Sequence, residues 1–180
     1  MKRLLTLLMV LLLVFSIGLT GCGGEPVVDD EPEMNMDAVT MVQVDSDQGV
    51  SLLLPRDLEL QENLNYTNLE TGENVGIVAS PIDGKSMTEY TEEDILAVYQ
   101  TTYEDAAVED YQSGLDINGN QGLVIALSLT TPGGNPILLT VVVVTDGTND
   151  YLVNYVYGTD NLDGSLASNM DESITSITLI

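Results

Sequence analysis

Ile137-Leu138-Leu139-Thr140-Val141-Val142-Val143-Val144-Thr145 is apolar on consecutive residues rather than on alternate ones. A strand with one wet face alternates, whereas an unbroken apolar run belongs to a strand covered above and below. Short turn sequences bracket the run: Pro132-Gly133-Gly134-Asn135-Pro136 before it and Asp146-Gly147-Thr148-Asn149 after it. Connections of that length join antiparallel neighbours. Leu123 to Thr130 and Tyr151 to Tyr157 therefore flank the central strand. Val108 to Ile117, joined through Asn118-Gly119-Asn120, extends the meander to a fourth.

Two amphipathic helices are available as cover. The first opens at Thr91, a capping residue followed by Glu92, Glu93 and Asp94 at the positive end of the helix dipole. Ile95, Tyr99, Thr102 or Tyr103, and Ala106 continue it at three- and four-residue spacing. The second fits Leu162 to about Ser176, with Leu166, Met170, Ile174 and Ile177 along one side. Upstream, Val50-Ser51-Leu52-Leu53-Leu54 reads as a strand stopped by Pro55, Leu64 to Leu69 as a short strand, and Val75 to Ala79 as a third before Pro81. The economical arrangement is an α+β fold in which an antiparallel sheet lies between helices, an α/β/α sandwich.

The N-terminus carries a separate message. Lys2 and Arg3 precede the uncharged apolar stretch Leu4 to Leu19, which is shorter than the roughly 20 residues a spanning helix needs. Leu19-Thr20-Gly21-Cys22 follows, and Cys22 is the one cysteine of the chain. This stretch resembles the signal peptide and lipobox of bacterial lipoproteins. The resemblance implies that Cys22 receives a diacylglyceryl group, that the chain is cut before it, and that the new N-terminus is acylated. It places the protein at the cell membrane, lipid-anchored on the extracytoplasmic face. Each buried lipid methylene contributes about 0.8 kcal/mol, and two acyl chains suffice for stable attachment. The expected organisation is a signal peptide over 1–21, an acidic flexible tether over 22–47 and a folded domain over 48–180. Gly23-Gly24, Pro26, Asp29-Asp30-Glu31 and Pro32 give the tether its character.

Charge and missing residue types narrow the function. The full chain holds 4 basic and 29 acidic side chains, net −25. Loss of Lys2 and Arg3 with residues 1–21, which contain no acid, leaves Arg56 and Lys85 against 29 acids, net −27. Such a body is repelled by nucleic acid and anionic lipid, so no nucleic-acid partner is expected. The sequence has no His and no Trp. Ser-His-Asp and Cys-His catalysis and His/Cys zinc sites are therefore unavailable within one chain. No enzyme activity, cofactor or metal ion is expected.

The order of elements resembles the Mog1/PsbP-like fold over about Gly49 to Ile180. The residues that carry this are Val50 to Pro55, the helix Thr91-Glu92-Glu93-Asp94-Ile95-Leu96-Ala97-Val98-Tyr99, and the ending Asp146-Gly147-Thr148-Asn149-Asp150-Tyr151-Leu152-Val153-Asn154-Tyr155 with Glu172-Ser173-Ile174-Thr175-Ser176-Ile177. Leu58 stands where members often carry an aromatic. The resemblance implies the fold; unrelated functions share it, so no functional residue is carried over.

Several short stretches invite functional readings. Ala79-Ser80-Pro81-Ile82-Asp83-Gly84-Lys85-Ser86 has phosphate-loop spacing, but Asp83 puts a negative charge in the cradle and the helix begins late, so a turn with a solvated lysine is expected. Asp116-Ile117-Asn118-Gly119-Asn120 opens like a calcium loop, yet Gln121 and Leu127 occupy the positions that need glycine and a bidentate acid. Asp45-Ser46-Asp47-Gln48-Gly49 reads as tether and Asp160-Asn161-Leu162-Asp163-Gly164 as a helix entry. Tyr151, Tyr155 and Tyr157 share one side of their strand, which either packs under a helix or forms a partner-binding patch. These features favour a non-catalytic binding or accessory module for an envelope protein or small ligand. The alternatives are a calcium- or cation-binding lipoprotein and a carboxylate-dependent hydrolase, the latter needing two acids in one cleft.

Overall fold

A computed structural model describes residues 39–61 and 65–180. In chain order these form strands Met41–Ser46 (β1), Val50–Pro55 (β2), Glu59–Leu60 (β3), Tyr66–Thr67 (β4) and Asn74–Pro81 (β5), a 3-10 turn at Met87–Glu89 and helix Glu92–Gln100 (α1). Strands Ala107–Ile117 (β6), Asn120–Thr130 (β7), Pro136–Thr145 (β8) and Asn149–Gly158 (β9), helix Ser165–Ser176 (α2) and strand Thr178–Leu179 (β10) complete them. A seven-stranded antiparallel sheet runs β3-β4-β5-β9-β8-β7-β6, and a three-stranded sheet runs β1-β2-β10.

The unbroken apolar run does what its composition requires. In β8, Val142 and Val144 enter one core with Val153 and Tyr155 of β9, Val50, Leu52 and Leu54 of β2, and Leu166 of α2. Val141 and Val143 enter the opposite core with Ile95 and Tyr99 of α1, Tyr103, and Leu123, Ile125 and Leu127 of β7. The expected sheet between helices is present, with one addition: the small sheet shares the α2 face. Burying a side chain such as Leu166, 0 % exposed, contributes about 1.5–3 kcal/mol.

Three boundaries differ from expectation. The tether was expected to run to residue 47, but β1 pairs with β2 from Met41↔Pro55 to Ser46↔Val50, and Val44 packs on the core. The folded part therefore includes Met41–Ser46, and Asp45 and Ser46 belong to a strand. Helix α1 stops at Gln100, although Tyr103 and Ala106 beyond it are buried in the same core. Helix α2 begins at Ser165 rather than Leu162, because Asn161 to Gly164 form a turn in which Gly164 N–H donates to the Asn161 carbonyl at 3.2 Å. At α1 the expected cap is a reciprocal box: Asp94 N–H donates to Thr91 Oγ1 at 3.2 Å and Thr91 N–H to Asp94 Oδ2 at 3.1 Å.

Candidate functional site

Cys22 and the preceding Leu19, Thr20 and Gly21 lie outside the described residues. Of the three tyrosines on β9, Tyr155 is fully buried and its hydroxyl is 3.0 Å from Ser173 Oγ of α2. Burial drives its phenol far above the ordinary tyrosine range. Tyr157 is also buried, and burial raises its phenol. Tyr151 is half-buried and donates its hydroxyl to Asp146 Oδ2 at 3.0 Å. Tyr155 therefore lies under α2, Tyr151 packs on the edge of the same core, and Tyr157 is buried beside them.

Two acids of the weak loop motifs are engaged locally. Asp116 accepts the Gly119 N–H at 2.7 Å. Next to it, Asn118, at φ 50°, donates Nδ2 to the Thr175 and Ile177 carbonyls and so pins the end of α2. Asp45 accepts the Ser51 hydroxyl at 2.6 Å. Lys85 is exposed, 3.7 Å from Asp94 Oδ2 and 4.6 Å from the Tyr90 ring centre. Asp146 accepts the N–H groups of Asn149 and Thr148, which hold its carboxyl down at about 2. Among the described residues no three His, Cys, Asp or Glu side chains converge as metal ligands.

A different group joins three segments. Glu73, 0 % exposed, accepts the Leu166 N–H at 3.1 Å and the Ala167 N–H at 3.4 Å, in the first turn of α2. It also accepts the Thr71 hydroxyl at 3.1 Å. Ser165 Oγ lies 2.8 Å from Asp57 Oδ2 and 3.2 Å from Glu73 Oε2, and Asn68 Nδ2 donates to Asp57 Oδ2 at 2.9 Å. Gly164, the N-cap of α2, has no side chain to offer, so a distant carboxylate does the capping. Nothing near Glu73 in sequence announces this; the bare glycine at the helix start is the one available hint. Ser165 Oγ thus bridges the two carboxylates and ties both to the first turn of α2.

Among the described residues the most exposed leucines are Leu60 at 58 %, Leu69 at 77 % and Leu162 at 57 %. On the α1 side of the sheet, Asn154 Oδ1 and Asn74 Oδ1 are buried acceptors without a hydrogen-bond partner. Asn154 faces Gly76 across the β5–β9 ladder.

No protein-family model matches the chain, and no curated protein does. Solved structures do. The cyanobacterial PsbP (CyanoP) of Synechocystis sp. PCC 6803 superposes with a TM-score of 0.57 at 15 % identity, over 90 % of this chain and 99 % of that one. The Ran-binding protein Mog1p of Saccharomyces cerevisiae superposes with a TM-score of 0.56 at 9 % identity, over 79 % of this chain and 96 % of that one. The chain thus has a Mog1/PsbP-like fold, as the order of its elements implies; identities this low speak to fold alone.

Proposed function

We propose that this chain is a lipid-anchored accessory module of the cell envelope, which holds a Mog1/PsbP-like domain at the extracytoplasmic face of a membrane and binds a partner there without catalysing a reaction. The observation that carries the proposal is the placement of Cys22, the sole cysteine, at the end of an apolar stretch headed by Lys2 and Arg3. A lone cysteine in an exported chain has no disulfide to form, and lipidation gives it a purpose. Residues 22–38 then act as the tether. The absence of histidine removes the usual general base. Glu73 and Asp94 cap helices, and Asp116 and Asp146 close turns. That one fold neighbour is a Ran-binding protein is in keeping with a binding role.

The test is chemical. Expressed in a bacterium with lipoprotein processing, the chain is expected to appear in mass spectra without residues 1–21 and with a diacylglyceryl thioether at Cys22. Cys22→Ser is expected to move the protein from the membrane pellet to the soluble or leader-bearing fraction. A mature product with a bare thiol and an intact leader overturns the proposal.

A further inference from the structure

Asn118 is the one asparagine in the chain that glycine follows, and both residues are exposed. They form the two-residue turn between β6 and β7, closed by the Ile117↔Asn120 pair. Positive φ at both, 50° at Asn118 and 87° at Gly119, gives the tight hairpin turn that asparagine followed by glycine favours. The turn also reaches a second element. Asn118 Nδ2 donates to the Thr175 carbonyl at 2.9 Å and to the Ile177 carbonyl at 2.7 Å. Carbonyls at a helix end have no amide within the helix to accept from, and the last turn of α2 carries no basic side chain to serve them. In the same stretch Ser176 Oγ accepts the Leu53 N–H at 2.7 Å, and β10 pairs with β2 through Thr178↔Ser51 and Leu179↔Val50. One side-chain amide therefore ties a hairpin tip to the segment that completes the small sheet.

We propose that Asn118 is a self-modification site: its side chain deamidates through a cyclic imide with Gly119, and the acid that results lets the end of α2 and β10 come loose. In the first step the Gly119 nitrogen gives up its proton and bonds to Asn118 Cγ, and the Cγ–Nδ2 bond breaks with release of ammonia. In the second, water adds to either carbonyl of the imide, and the ring opens to aspartate or isoaspartate. Nothing is oxidised or reduced, and water is the one co-reactant. Glycine makes the first step accessible, since it has no side chain to obstruct the attack. The native turn slows it. Gly119 N–H donates to Asp116 Oδ1 at 2.7 Å, so a carboxylate opposes loss of that proton, and two carbonyls hold the Asn118 amide. Reaction therefore waits for local opening of the hairpin tip. Afterwards the turn cannot close as before. A carboxylate has no N–H to donate, faces two carbonyl oxygens, and puts negative charge at the negative end of the helix dipole. Ile177, 0 % exposed, still anchors the segment in the core, so loosening rather than unfolding follows. The proposal stands independently of the chemistry at Cys22.

Peptide mass mapping of the full chain, aged in uncharged detergent and warm, mildly alkaline buffer, tests the site. Asn118 is expected to change from amide to acid before any other asparagine. In urea it should react at least about tenfold faster, because the folded chain must first break the three hydrogen bonds that hold the turn. Asp116→Ala should speed the reaction in the folded chain by freeing the Gly119 N–H. Hydrogen–deuterium exchange tests the consequence. The aged chain, and freshly made Asn118→Asp, should exchange faster over 174–180 and at unchanged rates in β8 and β9. The aged chain carries this comparison alone if the variant does not fold. Earlier reaction at another asparagine, equal rates folded and in urea, or a folded chain that never reacts overturns the proposal. So does a chain that has reacted at Asn118 yet exchanges over 174–180 as before.

Discussion

Glu73 caps α2 from 93 positions away, and every hydrogen bond it accepts here comes from a neutral group. Its removal leaves the buried Leu166 N–H without an acceptor. Glu73→Ala is therefore expected to lower unfolding free energy by about 1–3 kcal/mol in urea titration, and Glu73→Gln by less, since an amide oxygen still accepts. Gly164 offers a sharper test of the same arrangement. At an ordinary N-cap, glycine to serine is neutral or mildly stabilising. Here a Cβ would collide with Glu73 Oε1 and come within 2.6 Å of Asn161 Nδ2, so Gly164→Ser is expected to destabilise. A gain in stability would mean that Glu73 does not occupy the cap. Asp146 acts at the same scale. Its folded-state carboxyl sits at about 2, below the ordinary value near 3.9, so the stability it lends is complete above about pH 4 and fades as pH falls toward 2. A carbon-detected NMR titration should place its midpoint near 2, and Asp146→Asn should flatten that part of the acid-unfolding curve.

At the scale of elements, the central contact between β9 and α2 is the Tyr155–Ser173 pair, buried at both ends. A double-mutant cycle with Tyr155→Phe and Ser173→Ala is expected to give a coupling of about 1 kcal/mol, and a coupling near zero would show that water replaces the bond. The same pair shows where sequence reading stops. Odd spacing puts Tyr151, Tyr155 and Tyr157 on one face, but spacing cannot say which distant element lies over that face. The signals that were legible are local: the Thr91–Asp94 box, the glycine and asparagine turns, and the run in β8 that demands two covers. The signals that were not are pairings at long range. Strand β1 hides because Gln43, Asp45 and Ser46 are polar and Val44 alone of its later residues packs on the core, so composition resembles tether while pairing with β2 makes a strand. Strand β10 is two residues long and exists only because β2 is there to bond Thr178 and Leu179. The Asp57–Asn68–Glu73–Ser165 group is invisible for the same reason.

On the scale of the whole molecule, shape and charge argue in one direction. The seven-stranded sheet has a short edge, β3, and a long one, β6. The long edge carries Glu109, Asp110 and Asp116 and breaks register at Val108/Asp110 and Ser113/Leu115, devices that discourage strand addition by another copy. A net charge of −25 adds repulsion between molecules, and it also adds repulsion within each one. Among the described residues the Lys85–Asp94 pair is solvent-exposed, so salt has little attraction to screen there. Raising sodium chloride from 10 mM to 0.5 M shortens the screening length from about 30 Å to about 4–5 Å, which removes most of the self-repulsion. The melting temperature is therefore expected to climb steadily over that range. Calcium chloride at matched ionic strength separates screening from specific binding. If screening alone acts, the two salts should give similar curves, with calcium slightly ahead for its valence. A midpoint that saturates at a few millimolar calcium, well above the sodium curve, would instead establish a bound cation. A midpoint that falls with sodium chloride would mean that attractions between charges outweigh the repulsion expected from this composition.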